Sequence, residues 1–469
     1  MSKIKQLFSD QSRVFEDYHL HDDALIKTET IPGKKSLELI RAQEKYESNN
    51  VLYPKDIPLA FDLAKGSIVQ DVDGNRFIDF TSICGIFNLG HNNSFILDRL
   101  HSTDGKISQS VDFPTQVRID LLKSLMECMP SSLEGKCKVN FCGPSGSDAV
   151  EAALKLARIN QKRHTILAFE GGYHGMTMGA LSVTSSLHHR VVTPLIPGVH
   201  FLPYCDTYRC ATGHHPREAV MTHLNQFKDI FENPNSGIDK PAAIIVEPVQ
   251  GEGGTNIPQP GWLEGIVRIA HENDVLVIFD EVQTGFFRTG RFLSSEHTEA
   301  VPDIITLSKG LGGIGFPISL IIFKKELDKW GPGTHLGTFR GSQLAMAASL
   351  FALQFVKKYQ LGDYVEALGR KILERLNGIK TSSKYIGDVR GVGLMFGIEY
   401  VKEKRSKQPY PDMAKRVRKK CYENGLLTEI GGYFGNVVRL MPPLITTERI
   451  AENGLRILEK ANKLAEDLR

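Results

Sequence analysis

The sequence has few cysteines, and they form no pattern that would build a disulfide framework. Its 469 residues include seven cysteines, an odd number. Cys205 and Cys210, followed by His214 and His215, match no standard spacing of zinc ligands. The pattern therefore argues against a small disulfide-stapled protein, predicts free thiols in a reducing cytosol, and gives no reason to expect a metal site.

Long apolar runs and a strong excess of charge are also missing. There is no stretch of 18 apolar residues, and residues 1–6 lead into charged sequence without the apolar segment of a secretion signal. The formal net charge is only +3, and the basic residues 415–420 are typical of a solvated helix face. We therefore expect a cytoplasmic protein that binds neither membranes nor nucleic acids. Internal repeats and low-complexity segments are absent from the sequence as well.

The central part of the sequence contains short apolar strands that alternate with helices. The strand candidates are nearly all apolar and rich in β-branched residues: 138–142, 165–170, 242–249, 275–282, 303–309 and 318–324. Helical periodicity lies between several of them, at 147–160 and 262–273. Strands of this kind are typical of a parallel or mostly parallel sheet with helices on both faces. The pattern predicts an α/β fold.

The two ends of the chain have a different pattern, which predicts a second, smaller lobe. Residues 66–80 alternate around Asp73, Gly74 and Asn75, as in a β-hairpin. After residue 345 the sequence is mainly helical with short strands: 346–359, 361–379, 389–397, 437–441 and 448–468. The predicted segments are an N-terminal segment and hairpin belonging to the small lobe (1–85), a large domain (86–345) and a C-terminal α+β domain (346–469).

Two polar residues near the ends of predicted strands indicate the chemistry. Asp280 lies in the predicted strand 275–282, and Lys309 ends the predicted strand 303–309. Pyridoxal phosphate requires such a pair, because a lysine amine forms a Schiff base with its aldehyde and an acid keeps its ring nitrogen protonated. A carboxylate within about 4–6 Å raises the pKa of such a cation by roughly 1–3 units. Taken singly, Asp280 is also explained as a turn cap and Lys309 as a solvated lysine, but the two together favour the cofactor.

The candidate for a phosphate site is the predicted strand, turn and helix over residues 138–153. The first turn of a helix presents unpaired N–H groups and the positive end of the helix dipole, so an anion binds there without a lysine. Ser145 and Ser147 can add hydroxyl donors. The same residues are also explained as a helix cap, with a serine at the N-cap and Asp148 in the first turn. Both interpretations remain open at this stage.

A glycine-rich turn, residues 170–175 (Glu-Gly-Gly-Tyr-His-Gly), ends the next predicted strand. Its glycines allow a close approach of the backbone, and Tyr173 offers a flat ring that can stack on a cofactor. His174 is either a catalytic group or a structural hydrogen-bond donor inside a tight turn.

Six motifs, taken in order, resemble those of the class III (ornithine/4-aminobutyrate-like) aminotransferases. They are 145–149 (Ser-Gly-Ser-Asp-Ala), 172–175 (Gly-Tyr-His-Gly), 247–254 (Glu-Pro-Val-Gln-Gly-Glu-Gly-Gly), 280–286 (Asp-Glu-Val-Gln-Thr-Gly-Phe), 307–310 (Leu-Ser-Lys-Gly) and 337–339 (Gly-Thr-Phe). The resemblance runs from about residue 45 to the C-terminus. It implies the type I pyridoxal-phosphate transferase fold, with a large domain and a smaller α+β lobe. It also implies a homodimer, or a dimer of dimers, whose active sites are shared between subunits.

The resemblance implies a role for each residue at a matching position. Lys309 would be the Schiff-base lysine for pyridoxal 5′-phosphate, and Asp280 would pair with the ring nitrogen. The other cofactor-binding positions it implies are Ser145, Gly146, Ser147, Tyr173, His174, Glu247, Gln283 and Thr338. Among these, Gln283 would contact the ring hydroxyl, and Thr338 would reach the phosphate of the neighbouring subunit. Family members commonly follow that threonine with Gly-Gly-Asn, whereas this chain has Phe-Arg-Gly.

Glu252 and Arg439 concern the second substrate. In similar enzymes they form a gate, in which the arginine binds the α-carboxylate of 2-oxoglutarate or glutamate and otherwise pairs with the glutamate. A surface salt bridge is the other interpretation. Ornithine- and 4-aminobutyrate-type enzymes are expected to have an arginine at the position of Met176, for the donor's distal carboxylate. Without that cation a carboxylate bound there would be unpaired, which is unfavourable.

A closer resemblance is to the 2,4-diaminobutyrate:2-oxoglutarate aminotransferases, through residues 141–155, 172–177 and 330–341. Val51 departs from it, because that family is expected to have arginine there. The resemblance implies transfer of a terminal amine from a diamino acid to 2-oxoglutarate, giving a semialdehyde and glutamate. The alternatives are an aminomutase or amino-acid epimerase, a transaminase of ornithine, 4-aminobutyrate or lysine, and a non-catalytic protein of the same fold. The Glu252 and Arg439 gate favours transamination, since an isomerase needs no second carboxylate substrate.

Overall fold

The computed structural model describes residues 11–103, 106–192, 194–206, 208–209 and 216–467. The chain forms two compact units. The terminal unit comprises Met1–Leu97 with Tyr359–Arg469, and the central unit comprises Asp98–Lys358. In the described part of the chain no helix has the length and apolar character needed to cross a bilayer. Cys210, His214 and His215, considered above as metal ligands, lie outside the described residues.

The helices and strands occur along the whole chain. The strands are β1 (Phe61–Lys65), β2 (Ile68–Asp71), β3 (Arg76–Asp79), β4 (Cys137–Phe141), β5 (Ile166–Phe169), β6 (Val199–Leu202), β7 (Ala243–Val246), β8 (Leu276–Asp280), β9 (Ile304–Leu307), β10 (Leu320–Lys324), β11 (Ile386–Val392), β12 (Met395–Tyr400), β13 (Leu426–Leu427), β14 (Glu429–Gly431) and β15 (Val437–Leu440). The α-helices are α1 (Lys34–Tyr46), α2 (Tyr53–Asp56), α3 (Ser94–His101), α4 (Gln116–Glu127), α5 (Gly146–Gln161), α6 (Met178–Val183), α7 (Pro216–Glu232), α8 (Trp262–Glu272), α9 (Gln343–Lys358), α10 (Leu361–Ser382), α11 (Pro411–Glu423) and α12 (Glu448–Asp467).

The central unit is built on a mostly parallel sheet, which confirms the predicted α/β fold. Its strand order is β4-β10-β9-β8-β7-β5-β6. The neighbours from β9 to β6 run parallel, whereas β10 is antiparallel to both β4 and β9. All six strands predicted for this region are present. The edge strand β6 was not predicted, because its four residues are only half-buried and include a histidine.

The central strands β5, β7 and β8 each contribute side chains to two hydrophobic cores, one on each face of the sheet. In β5, for example, Ile166 and Ala168 belong to the core that contains residues of α5. The alternate residues Leu167 and Phe169 belong to the core that contains Trp262 of α8. Because successive side chains of a strand point to opposite faces, burial of both faces requires an uninterrupted apolar strand. This explains why these strands are nearly all apolar in sequence.

The strands β5, β7, β8 and β9 lie side by side and run parallel, so their carboxyl ends meet at one edge of the sheet. Open parallel sheets place their ligand sites at this edge. The glycine turn with Tyr173 follows β5, Asp280 ends β8, and Lys309 follows β9 after one residue. The fold therefore brings together polar residues that are far apart in the sequence.

The terminal unit combines both ends of the chain. The predicted hairpin is formed by β2 and β3, extended on one side by β1 and on the other by β13 from the C-terminal part. Its turn contains Gly74 with φ of 84°, and Asp71 accepts hydrogen bonds from the backbone N–H groups of Asp73 and Asn75. A second, antiparallel sheet has the order β11-β12-β15-β14. Parallel pairing of β13 with β3 joins the two ends of the sequence in one unit.

The compact units do not begin and end where the predicted segments do. Both boundaries fall later in the chain, after Leu97 and after Lys358 rather than after residues 85 and 345. The helix predicted at 346–359 begins at Gln343 and belongs to the central unit as α9. It packs against α4 and is buried on most sides, so its apolar character reflects the core of the central unit.

Candidate active site

A cavity of about 170 Å³ lies at the carboxyl edge of the central sheet. Most of the residues singled out from the sequence line it: Gly146, Ser147, Tyr173, His174, Glu247, Glu252, Asp280, Gln283 and Lys309. They come from the ends of four parallel strands and from the first turn of α5. The structure therefore brings together residues that span more than a third of the sequence.

Asp280 is buried and held by three donors. Its Oδ2 accepts a hydrogen bond from Nδ1 of His174 at 2.7 Å, and its Oδ1 accepts from Oγ1 of Thr306 at 2.8 Å and from the backbone N–H of Val282 at 3.0 Å. Such a set of donors stabilises a carboxylate and fixes its orientation. His174 thus touches the side chain that the cofactor interpretation needs. From within a tight turn, its ring holds the Asp280 carboxylate by a hydrogen bond.

The buried charges of His174, Asp280 and Glu247 influence one another. Burial opposes protonation of His174, but the hydrogen bond to Asp280 and the charge of that carboxylate outweigh it and raise the pKa of His174. Burial also raises the pKa of Glu247 to about 7. The Glu247 carboxylate accepts hydrogen bonds from the backbone N–H groups of Tyr173 (3.0 Å) and Gly251 (2.8 Å). Glu247 therefore holds the two turns that flank the cavity in place.

The two serines of the predicted phosphate site have different roles. Ser145 is the N-cap of α5, and its hydroxyl donates to Oδ2 of Asp148 at 2.8 Å in a capping box. It is exposed and does not line the cavity, so the capping interpretation accounts for it. Ser147 lies in the first turn of the helix and lines the cavity, where its Oγ accepts from the backbone N–H of Met176 at 3.2 Å. The residues of the helix start that line the cavity are thus Gly146 and Ser147.

Two glycines at this end of the cavity are required by close contacts. A Cβ at Gly146 would lie 2.7 Å from Cγ1 of Val282. A Cβ at Gly175, whose φ is +127°, would lie 2.1 Å from Oγ of Ser147. Substitution of either residue would therefore displace the wall of the cavity beside the first turn of α5.

Lys309 begins a 3₁₀ turn, Lys309–Gly312, directly after β9 and Ser308. Its φ is 42°, in the left-handed region that residues with a Cβ rarely adopt. The hydroxyl of Ser308 donates to the backbone oxygen of Ile318 at 2.8 Å and anchors the chain before the lysine. Strained residues of this kind are concentrated at functional sites. The fold thus holds the lysine at the cavity that Asp280 also lines.

Thr338 and Arg439 do not line this cavity. Thr338 lies in an exposed 3₁₀ turn of the central unit, Thr338–Gly341. Arg439 lies on β15 of the terminal unit, where its Nη2 is 2.9 Å from Oε2 of Glu429. The sequence pattern gives no sign that Glu429 lies beside the arginine. Only the register of β14 against β15 brings the two residues together. The predicted pairing of Arg439 with Glu252 remains a prediction.

Across the described ranges, no group of three or more histidine, cysteine, aspartate or glutamate side chains has the arrangement of a metal site. Cys205, considered above as a metal ligand, is buried and is not part of a disulfide.

The sequence is similar to that of known aminotransferases. The sequence profile of the family described as Aminotransferase class-III matches residues 53–461. A diaminobutyrate–2-oxoglutarate aminotransferase from Rhizobium meliloti is 38% identical over 416 residues, covering 87% of this chain and 88% of that protein. An enzyme of the same name from Haemophilus influenzae is 38% identical over 408 residues, covering 85% and 89%.

A solved structure has the same fold. The PLP-bound amine transaminase from an uncultivated Pseudomonas species superimposes with a TM-score of 0.81 at 28% identity, covering 90% of this chain and 98% of that one. The family match spans most of the sequence, and the cavity carries the lysine and aspartate that the motifs predicted. The chain belongs to the class III aminotransferases.

Proposed function

We propose that the protein is a pyridoxal-5′-phosphate-dependent transaminase that moves the terminal amine of L-2,4-diaminobutyrate to 2-oxoglutarate, giving a semialdehyde and glutamate. The observation that carries this proposal is the presence of Lys309, Asp280 and the first turn of α5 around one cavity. The names of the two relatives, each 38% identical to this chain, support the choice of substrates.

The cavity fits pyridoxal phosphate in two respects. The first turn of α5, at Gly146 and Ser147, suits a phosphate, because helix starts bind anions through backbone N–H groups. Asp280, held by His174 and Thr306, is an acceptor suited to a protonated ring nitrogen. When bound, this cofactor supplies an aldehyde that condenses with amines and a ring that accepts electrons.

In this proposal, each side chain around the cavity has a separate role in the reaction. Nζ of Lys309 would hold the cofactor covalently and would take up and return the proton of the amine-bearing carbon. The carboxylate of Asp280 would keep the ring nitrogen protonated. Tyr173 would stack on the ring, and the side-chain amide of Gln283 would contact the hydroxyl group of the ring.

Arg439 and Glu252 provide the acceptor specificity in this proposal. The planar guanidinium of Arg439 is suited to bidentate binding of the α-carboxylate of 2-oxoglutarate or glutamate. Glu252 lines the cavity, which supports a role for its carboxylate in the exchange of the two substrates. A second carboxylate substrate is what distinguishes transamination from isomerisation on the same scaffold.

The donor assignment rests on Met176 and on the relatives. Met176 is 50% exposed, and its backbone N–H donates to Ser147 beside the helix start. The chain thus offers no cation there for the distal carboxylate of 4-aminobutyrate, while a diamino acid carries a compensating ammonium group. Val51, where the related enzymes are expected to have arginine, is the residue we would examine first if the donor proved different.

The proposal is tested by adding single amines to the purified holoenzyme and following the cofactor absorbance without an acceptor. L-2,4-Diaminobutyrate should convert the aldehyde form to the amine form faster and at lower concentration than ornithine, lysine or 4-aminobutyrate. Subsequent addition of 2-oxoglutarate should restore the aldehyde form and release glutamate. Preference for 4-aminobutyrate would contradict the donor assignment, and racemisation of an amino acid without an acceptor would indicate an isomerase.

We also propose that the enzyme is a homodimer, or a dimer of dimers, with Thr338 reaching the phosphate site of the neighbouring subunit. The support is an exposed apolar surface of the central unit around that residue: Ile107 (62% exposed), Phe113 (76%), Leu336 (66%) and Phe339 (71%). Its two segments are held together by the Arg340–Asp112 ion pair and by a backbone hydrogen bond from Ser110 to Gly341. Large apolar patches on a folded unit are typical of subunit interfaces. The expected cytoplasmic location stays a prediction.

A further inference from the structure

Arg439 has a counter-ion inside its own sheet. Glu429 on β14 lies directly opposite Arg439 on β15 in the antiparallel register, and Nη2 of the arginine is 2.9 Å from Oε2 of the glutamate. Both side chains are buried, with 2% and 8% of their surface exposed. A buried guanidinium needs a partner, because an unpaired charge loses its hydration without compensation. Glu429 satisfies that need with no movement of any other element.

The second oxygen of Glu429 is held by an unusual turn. Its Oε1 accepts hydrogen bonds from the backbone N–H and the thiol of Cys84, both at 3.2 Å. Cys84 belongs to a left-handed turn, Ser82–Gly85, in which φ is positive at every residue. Asp79 stabilises the start of this turn by accepting from the N–H groups of Thr81 and Ser82. Both oxygens of Glu429 are thus held, and its carboxylate is fixed beside the arginine.

We propose that Glu429 is a fixed counter-ion of Arg439, in addition to the predicted gate residue Glu252, and thereby limits the affinity of the enzyme for dicarboxylates. The inference rests on the proposed role of Arg439 as the acceptor's carboxylate-binding residue. During the reaction with the amino donor, Glu429 already balances the charge of Arg439. A donor that has no carboxylate beside Arg439 therefore leaves no buried charge unpaired. An incoming α-carboxylate must share the guanidinium with Glu429 and is repelled by it. Glu429 is therefore a specificity-determining residue.

A second buried ion pair in the same sheet provides a control. Arg390 on β11 contacts Glu399 on β12 at 2.8 Å and Asp388 at 3.1 Å. Its side chain is 7% exposed, similar to that of Glu429. Since this pair has no proposed contact with a substrate, Glu399→Gln removes a buried carboxylate at a comparable structural cost without changing Arg439.

The test is the affinity of the holoenzyme for glutarate, an unreactive dicarboxylate, measured by calorimetry. Glu429→Gln should bind glutarate about tenfold or more tightly, because a charge within about 4–6 Å of an ionised group shifts that group's equilibrium constant by roughly tenfold or more. The KM for 2-oxoglutarate should fall in parallel, and glutarate should become a stronger competitor of the diamino acid. Glu399→Gln should leave glutarate affinity unchanged while lowering the melting temperature.

Two further variants keep the outcome decisive. Glu429→Asp retains the charge but draws it away from the guanidinium, so this variant should bind glutarate more tightly than the wild type but less tightly than the glutamine variant. If the glutamine variant fails to fold, the comparison of the aspartate variant with the wild type still tests the inference. Weaker or unchanged glutarate binding in these variants would overturn the inference and leave Glu429 a structural residue. Arg439→Ala should weaken glutarate binding. If it does not, the acceptor role in the proposed function fails, and this inference fails with it.

Discussion

Two neighbouring serines show that the same type of residue can have different roles. Ser145 and Ser147 are separated by a single residue, yet the first caps α5 and the second faces the cavity. The difference arises because the N-cap residue lies before the helix, where its oxygen is directed to the first turn. His174 makes two hydrogen bonds: its ring nitrogen Nδ1 donates to Asp280, and its backbone N–H donates to the hydroxyl of Thr184. These two bonds hold the ring rigidly against the Asp280 carboxylate.

Replacement of Lys309 tests the central assignment at this scale. Lys309→Ala should abolish turnover, because no other side chain is proposed to hold the cofactor covalently and move the substrate proton. It should still bind cofactor non-covalently through Ser147, Asp280 and Tyr173. Turnover assays, together with absorbance spectra before and after dialysis, check both expectations.

The matched control is Lys329→Ala, which removes an exposed lysine of the same unit. This variant should retain full activity and the yellow colour of the covalently bound cofactor. Near-normal turnover in Lys309→Ala would refute the role of the lysine.

His19 determines a pH dependence of stability in the terminal unit. Its Nδ1 accepts from the backbone N–H of Ser67 (2.9 Å), and its Nε2 donates to the backbone oxygen of Ile445 (3.0 Å). Burial lowers the pKa of His19 to about 4. Because the pKa in the folded state lies below the unfolded value near 6.5, this contribution is complete above pH 6.5 and is lost as the pH falls toward 4.

The expected loss between pH 7.5 and pH 5 is about 2 kcal/mol, from the linkage between these two pKa values. Urea unfolding of the wild type and of His19→Asn at both pH values measures it. The variant should be less stable at pH 7.5, where it lacks the two hydrogen bonds, but should lose less stability on acidification. Equal pH dependence in the two proteins would show that His19 is not the titrating group.

At the scale of secondary-structure elements, the carboxyl ends of parallel strands explain why the predicted residues meet. β5, β7, β8 and β9 were predicted from apolar runs of four to eight residues, and each is followed by a polar or glycine-rich segment. Their common direction then places those segments at one edge. The half-buried edge strand β6 lacks this signal, which is why it was missed.

Two of the three glycines in helix α10 differ in how closely they are packed, which gives a paired prediction. A Cβ added at Gly378 would meet nothing within 4 Å, so Gly378→Ala should stabilise the helix by about 0.5–1 kcal/mol. A Cβ added at Gly369 would lie 2.2 Å from the backbone oxygen of Gly393. Gly369→Ala should therefore destabilise the protein by roughly 1–3 kcal/mol, as overpacking does.

Thermal unfolding of the two variants measures both effects in the same helix. The melting temperature should rise for Gly378→Ala and fall for Gly369→Ala. A fall for both would mean that the helix surface at Gly378 is covered by another part of the assembly.

At the scale of the whole molecule, the exposed apolar surface around Thr338 predicts that the active sites are completed between copies of the chain. Mixing Lys309→Ala with Thr338→Asp tests this by complementation. If Thr338 serves the partner's phosphate site, each heterodimer contains one site with both lesions and one site with neither. Activity should therefore appear in the mixture, although neither parent is active.

The control is the same mixing experiment with Lys309→Ala and Asp280→Ala, whose lesions both lie in the cavity of one chain. In a heterodimer of these two variants each site carries one lesion, so no activity should return. Absence of activity in the Thr338 mixture, after subunit exchange has been verified by mass spectrometry, would contradict a shared site.

The sequence by itself determined the α/β class, the six main strands of the central sheet and the assignment to the class III aminotransferases. Apolar runs and the order of motifs are properties of the sequence itself, so they can be recognised without knowledge of the fold. Lys309 and Asp280 were identified in the same way, because each stands at or near the end of such a run. The resemblance supplied the other cofactor positions.

Only the tertiary structure decided which of these groups touch. His174 and Asp280, 106 residues apart, meet at 2.7 Å because β5 and β8 are held in one sheet by β7. The partner of Arg439 depends on the register of β14 against β15, which the hydrophobic pattern leaves open. A one-residue shift of that register would turn Glu429 to the other face of the sheet. The charge balance at Arg439 is therefore a property of the fold, because it depends on strand pairing rather than on the order of residues.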